Sequence, residues 1–258
     1  MAHFSHFFFA VGHAHLAYLS WANIAAADAI AGSALSPAAL AAGSVFLLCA
    51  SLSFDNASLA LSAPLCWLRR ATSRDAYAAC WLPELSWTRF AAHEALLPLL
   101  APAAAATVAP HALPPVLFQG AFLLAASVGV RNLVRHMRHH PSFRIGVNTF
   151  TLEGDHGHFV DDREGVLRIT VREGTPAHRE TIGLVISSCT LALLAAAGGV
   201  LLGLEGAELL LAGCLAAGAV PAVGQALVRA VDSAAPLQTA LDNLGELCLM
   251  AAFLGNIL

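Results

Sequence analysis

Long apolar runs alternate with short polar connections along this chain, and the runs recur at the length of a membrane-spanning helix. Seven such stretches stand out, at 4–31, 38–64, 85–108, 116–135, 181–203, 207–228 and 235–258. A span needs about 20 predominantly apolar residues, a length the 116–135 stretch only just reaches. The last stretch is amphipathic, so it either crosses or lies at the interface, and the expected count is six to seven spans. One segment breaks the pattern. Between 136 and 180, FRIGVNTFTL (143–152) and VLRITVRE (166–173) are β-branched and partly alternating, and EGDHGH and DDREG beside them are turn formers. The expected fold is an all-α polytopic transmembrane bundle with a small β-hairpin flap. It divides into 1–135 with the first four segments, 136–180 with the flap, and 181–258 with the last three.

Composition sharpens this picture. The chain is 58% hydrophobic and 12% charged, with a mean hydropathy of +0.70, whereas soluble domains carry about 25% charged residues. Alanine and leucine dominate and aromatics are sparse, as in closely packed membrane helices. All 13 basic residues are arginine, and all can be placed on one side. Arg69, Arg70 and Arg74 follow the second run, and Arg89 opens the third. Arg131, Arg135, Arg138, Arg144, Arg163, Arg168, Arg172 and Arg179 border or occupy 136–180, and Arg229 ends the sixth run. The intervening connections, at 32–37, 109–115 and 204–206, hold none. By the positive-inside rule the N-terminus and the flap lie inside and the C-terminus outside. With no basic residue ahead of it, the first run is expected to be an uncleaved membrane helix rather than a secretory signal. No basic stripe with interleaved aromatics suggests nucleic-acid binding. The six cysteines stand singly, as small buried hydrophobes do.

The topology supplies a depth scale. His13, Asp55, Asn56, His93, Glu94, Asp242 and Asn243 all fall roughly 10–15 Å from the inner edge at 1.5 Å per residue, with Glu246 one turn beyond Asp242. Charged side chains at such depth cost about 2.5–3.5 kcal/mol each, so they are expected to face one another or a water-filled cavity. Ser51, Asp55, Ser58 and Ser62 share one face, as do Gln238, Asp242 and Glu246; His6 and His13, seven apart, share another. Carboxylates and amides offer hard oxygen ligands and histidines add nitrogen, so these residues are a candidate cation or proton site, with a divalent metal ion as one candidate substrate. The competing reading is that they are interhelical hydrogen-bond pairs that fix packing.

His136, His139 and His140 form an HxxHH string that resembles one of the boxes holding two irons in membrane desaturases and hydroxylases. Those enzymes need several boxes and no second one occurs here, so the string reads as an interfacial Arg/His cluster meeting lipid phosphates, and the chain is not expected to be an enzyme.

SLSFDNASLALSAPL (51–65), followed by HEALLPLL (93–100), resembles a segment of the LysE/TerC superfamily of membrane exporters. The resemblance implies export of a divalent metal or a small cationic solute, with Asp55 and Asn56 on the ion path. The expected function is therefore a cation transporter or exporter, working on a metal ion or coupled to protons, in a multi-pass integral membrane protein. The alternative is a non-catalytic subunit of a larger respiratory, photosynthetic or other membrane complex. Expected partners are the lipid bilayer and either other membrane subunits or further copies of the chain.

Overall fold

A computed structural model of the chain describes residues 2–31, 35–71, 87–88, 91–139, 142–145, 150–153, 158–161, 168–230 and 235–257. Helix dominates: α1 (Ala2–Ala31), α2 (Pro37–Ala71), α3 (Ala91–Val108), α4 (Pro115–Arg138), α5 (Pro176–Leu201), α6 (Ala207–Ala230) and α7 (Ala235–Ile257). Five of these, α2 through α6, are long and apolar enough to cross a membrane. α1 and α7 are long enough but fall outside that set, because histidines in one and Asp242, Asn243 and Glu246 in the other lower their hydropathy.

Local chemistry sets several helix ends away from the expected positions. α5 begins at Pro176 rather than near 181: Thr175 caps it by accepting the His178 N–H, and Pro176 fills the first turn, where its missing N–H costs nothing. α4 runs on to Arg138, with Arg135, His136 and Arg138 in its last turn, where positive charge meets the negative end of the helix. α2 continues past Pro64 to Ala71, its last turns ending in leucine, arginine and alanine, which favour helix. α3 tightens to a 3-10 turn at Leu97–Leu99, where Pro98 removes a backbone donor.

Between α4 and α5 lie two short antiparallel ladders. β1 (Ser142–Ile145) pairs with β2 (Phe150–Glu153), Ser142 opposite Glu153, and β3 (His158–Asp161) pairs with β4 (Arg168–Val171), His158 opposite Val171. Arg74, Arg89, Arg163 and His140 lie outside the described residues.

α1 and α2 form an antiparallel hairpin, α7 packs on α6 and on α1, and α3 sits between α2 on one side and α4 and α5 on the other. The core is built from small and branched side chains: Ala41, Val45, Leu48 and Cys49 of α2, Ala103 and Ala104 of α3, Ala192 and Ala196 of α5, and Phe253 of α7. Glycine permits several close approaches between helices. A Cβ on Gly129 of α4 would collide with the Ala95 carbonyl of α3, and one on Gly213 of α6 would collide with Ala252 of α7. Of the cysteines, Cys49 is buried but Cys189 is exposed.

α1 is inverted relative to a helix made for water. Its buried stripe is His6, Ala10, His13, Ala17 and Ser20, while Phe7, Phe8, Val11, Tyr18 and Trp21 point outward. Polar groups inside and aromatic groups outside are what a hydrocarbon solvent demands.

Candidate functional site

The antiparallel α1–α2 hairpin brings its polar residues into rungs. His6 Nδ1 lies 2.8 Å from Asn56 Oδ1 across the seam, and both residues are buried. One turn on, Ser53 Oγ donates to the Ala10 carbonyl at 2.9 Å. Asn56 also gives its amide N–H to Leu52 O of its own helix. His13, the next buried polar residue, is fully enclosed at 0% exposure. Its Nδ1 is 2.9 Å from Phe9 O, and its Nε2 is buried with no hydrogen-bond partner. The charges of Asp55 and His93 both reach its ring. Three of the residues read from the sequence as one layer, His13, Asp55 and His93, thus interact electrostatically across α1, α2 and α3, with Asp55 and His93 only half-buried.

Glu94 goes elsewhere. Successive helix residues turn by about 100°, so the neighbour of His93 faces another side of α3, toward α4 and α5. There Glu94 Oε2 meets His136 Nε2 at 2.8 Å, and each residue is only 5% exposed. The other oxygen of Glu94 accepts from the Thr181 hydroxyl of α5. Trp87 stacks edge-on against the His136 ring, their centroids 5.8 Å apart. Beside this junction Arg135 pairs with Glu180, a second and half-exposed tie between α4 and α5.

This corrects the reading of the HxxHH string. His139 is exposed, but His136 turns inward and is a hydrogen-bond partner of Glu94 rather than a lipid-facing cation. The reason lies on α4, whose buried stripe runs Phe118, Phe122, Ala125, Gly129 and His136 at helical spacing. Gly129, two turns before His136, lets α4 close on α3 and brings the ring within reach of Glu94.

The α7 residues divide as well. Asn243 is buried, and its Nδ2 donates to Thr239 O at 2.8 Å, within its own helix. It shares a face with Leu247, whose side chain lies against Gly12 of α1, next to His13. Asp242 and Glu246 are half-buried, and the charge of Glu246 reaches Cys189 of α5. Among the described residues, no group of three or more His, Cys, Asp or Glu is placed to hold a metal ion.

Thr181 and Trp87 were not singled out from the sequence, and His136 was read there only as part of an interfacial cluster. The legible signals were the Thr-Pro start of α5, which puts Thr181 inside a helix, and the apolar spacing on α4 that ends at His136.

No protein-family model matches the chain, and no curated protein or solved structure matches it.

Proposed function

We propose that the chain is a proton-coupled cation transporter, in which histidine–carboxylate groups on both sides of α3 hold and pass the proton. The observation that carries this reading is the pair His93–Glu94. Adjacent residues of one helix belong to two polar groups: half-buried His93 with half-buried Asp55 and buried His13 toward α1 and α2, and buried Glu94 with His136 and Thr181 toward α4 and α5. A proton passing from one to the other has only one helix to cross.

The chemistry suits protons better than a resident metal. Imidazole and carboxylate exchange a proton across a 2.8 Å contact with little change in geometry, and histidine does so near neutral pH. Ionisable groups within a bilayer cost enough to be kept chiefly for ion paths and proton relays. The unpartnered Nε2 of His13 is a buried polar atom, and a polar atom of this kind calls for an explanation. A water or a transiting proton supplies one. The likeness of 51–65 and 93–100 to LysE/TerC exporters points the same way, with Asp55 on the ion path.

In this reading all seven helices cross. α1 qualifies through its inverted surface, and α7 through its buried contacts with α1 and α6. The N-terminus and the β ladders then lie on the arginine-bearing inner side and the C-terminus lies outside.

The test is proton flux in vesicles containing the purified protein and a trapped pH-sensitive dye. Glu94→Gln and His13→Leu are each expected to reduce flux at least tenfold. Flux at the wild-type rate in both variants overturns the reading and leaves the buried groups as packing contacts.

A further inference from the structure

At the end of the bundle away from the arginines, the chain encloses an open cavity of about 790 Å³. Its walls come from the C-terminal end of α3 (Thr107 and Val108), the connection to α4 (Pro110 and His111), the turn between α5 and α6 (Leu204, Glu205 and Gly206), and the end of α7 (Asn256). We infer that this cavity binds a small organic ammonium cation, its charged end at Glu205, Asn256 and Thr107 and its apolar body against Val108, Pro110, Leu204 and Leu209.

The electrostatics select a cation. α3, α5 and α7 all end here, at Val108, Leu201 and Ile257, and each helix C-terminus carries a partial negative charge of roughly half an electron. Glu205 adds a full charge and is exposed to the cavity. α6 starts here and presents the opposite pole, but Glu208 in its first turn offsets that. Among the described residues, no arginine lines the cavity, and His111 is its only basic side chain.

The hydrogen-bond inventory selects a donor. Asn256 commits its Nδ2 to Ala252 O at 2.8 Å, which leaves Oδ1 as an acceptor. That oxygen stands against Gly206, which has φ of +77° and no room for a Cβ, so the turn and the amide are fitted to each other. Thr107 Oγ1 is buried with no hydrogen-bond partner. A single carboxylate is too few hard ligands for a dehydrated divalent ion, and the volume far exceeds one. An ammonium group has three donors for these acceptors, and the cavity falls in the range of small-molecule sites.

The inference does not depend on proton coupling, because binding is measured without a gradient. Purified protein in detergent is titrated calorimetrically with n-butylammonium, n-butyrate and 1-butanol. Saturable binding of n-butylammonium alone is expected. Glu205→Gln should weaken it about tenfold or more, the loss of one charge-assisted contact. Thr107→Val, which keeps side-chain size, should weaken it less, and Glu173→Gln, exposed just before the start of α5 at the opposite end of the bundle, should leave it within about twofold. Absence of binding, equal binding of butyrate, or unchanged affinity in both Glu205→Gln and Thr107→Val overturns the proposal.

Discussion

Glu94 and His136, 42 positions apart in the chain, meet at 2.8 Å with each only 5% exposed. The contact closes three helices around one carboxylate, because Thr181 of α5 takes its second oxygen. Removing one member of a buried pair leaves the other charge or polar group uncompensated and costs about 3–5 kcal/mol. Removing both avoids that penalty. Glu94→Ala and His136→Ala should therefore each lower the unfolding temperature in detergent, while the double variant loses much less than their sum. A coupling of about 1–3 kcal/mol is expected. Additive losses would mean that the two side chains do not interact.

The approach of α4 to α3 at Gly129 makes that pair reachable. A Cβ there would meet the Ala95 carbonyl, one residue from Glu94. Gly129→Ala should cost about 1–3 kcal/mol by overpacking and displace His136 as well, so that flux falls along with stability. Gly120 lies on the same helix with nothing within 4 Å of an added Cβ. Gly120→Ala should instead stabilise by about 0.5–1 kcal/mol through helix propensity. Thermal unfolding of the two variants side by side checks the contrast, and equal effects would remove Gly129 from the explanation.

What the sequence tells about this chain follows from which forces are local. Helix α6 was legible because an apolar run of that length has few other fates. His13, Asp55 and His93 could be grouped because spans and arginine positions set a common depth. Depth is one coordinate, however, and the facing of each side chain is another. His93 and Glu94 share a depth yet turn to opposite partners, a split that depends on which helices flank α3. No pattern within 91–108 contains that information. His136 was misplaced for the same reason: its arginine neighbours mark the membrane edge, while its facing is set by Gly129 and Phe122. Asn56 was chosen for its neighbour Asp55, but its partner is His6 across the hairpin.

The sidedness of the chain can be read across a single helix. Arg172 and Glu205 are both exposed and flank α5, Pro176–Leu201. With single cysteines placed at 172 and 205 in a cysteine-free background, a membrane-impermeant maleimide should label one in intact vesicles of fixed orientation. The other should be labelled only after permeabilisation. The inner side is expected to be that of Arg172. Labelling of both from one side would exclude α5 as a span.

His13 separates a site from packing more sharply than any other residue. Its Nε2 makes no hydrogen bond although the residue is wholly buried, so the fold gains nothing there to offset the desolvation of that atom. A residue kept only for packing should be at least as good when apolar. His13→Leu, of similar bulk, is therefore expected to leave unfolding within about 1 kcal/mol of the wild type, or to stabilise. If the ring relays a proton between Asp55 and His93, the same variant loses flux at least tenfold. Stable and inactive is the expected phenotype, measured by thermal unfolding and vesicle flux on one preparation. A variant that unfolds early would instead assign His13 to the α1–α2 seam, with Phe9 O as the partner that matters. A variant that is stable and fully active would free the proton path from α1 altogether and leave Glu94 and His136 as its only buried pair of this kind among the described residues.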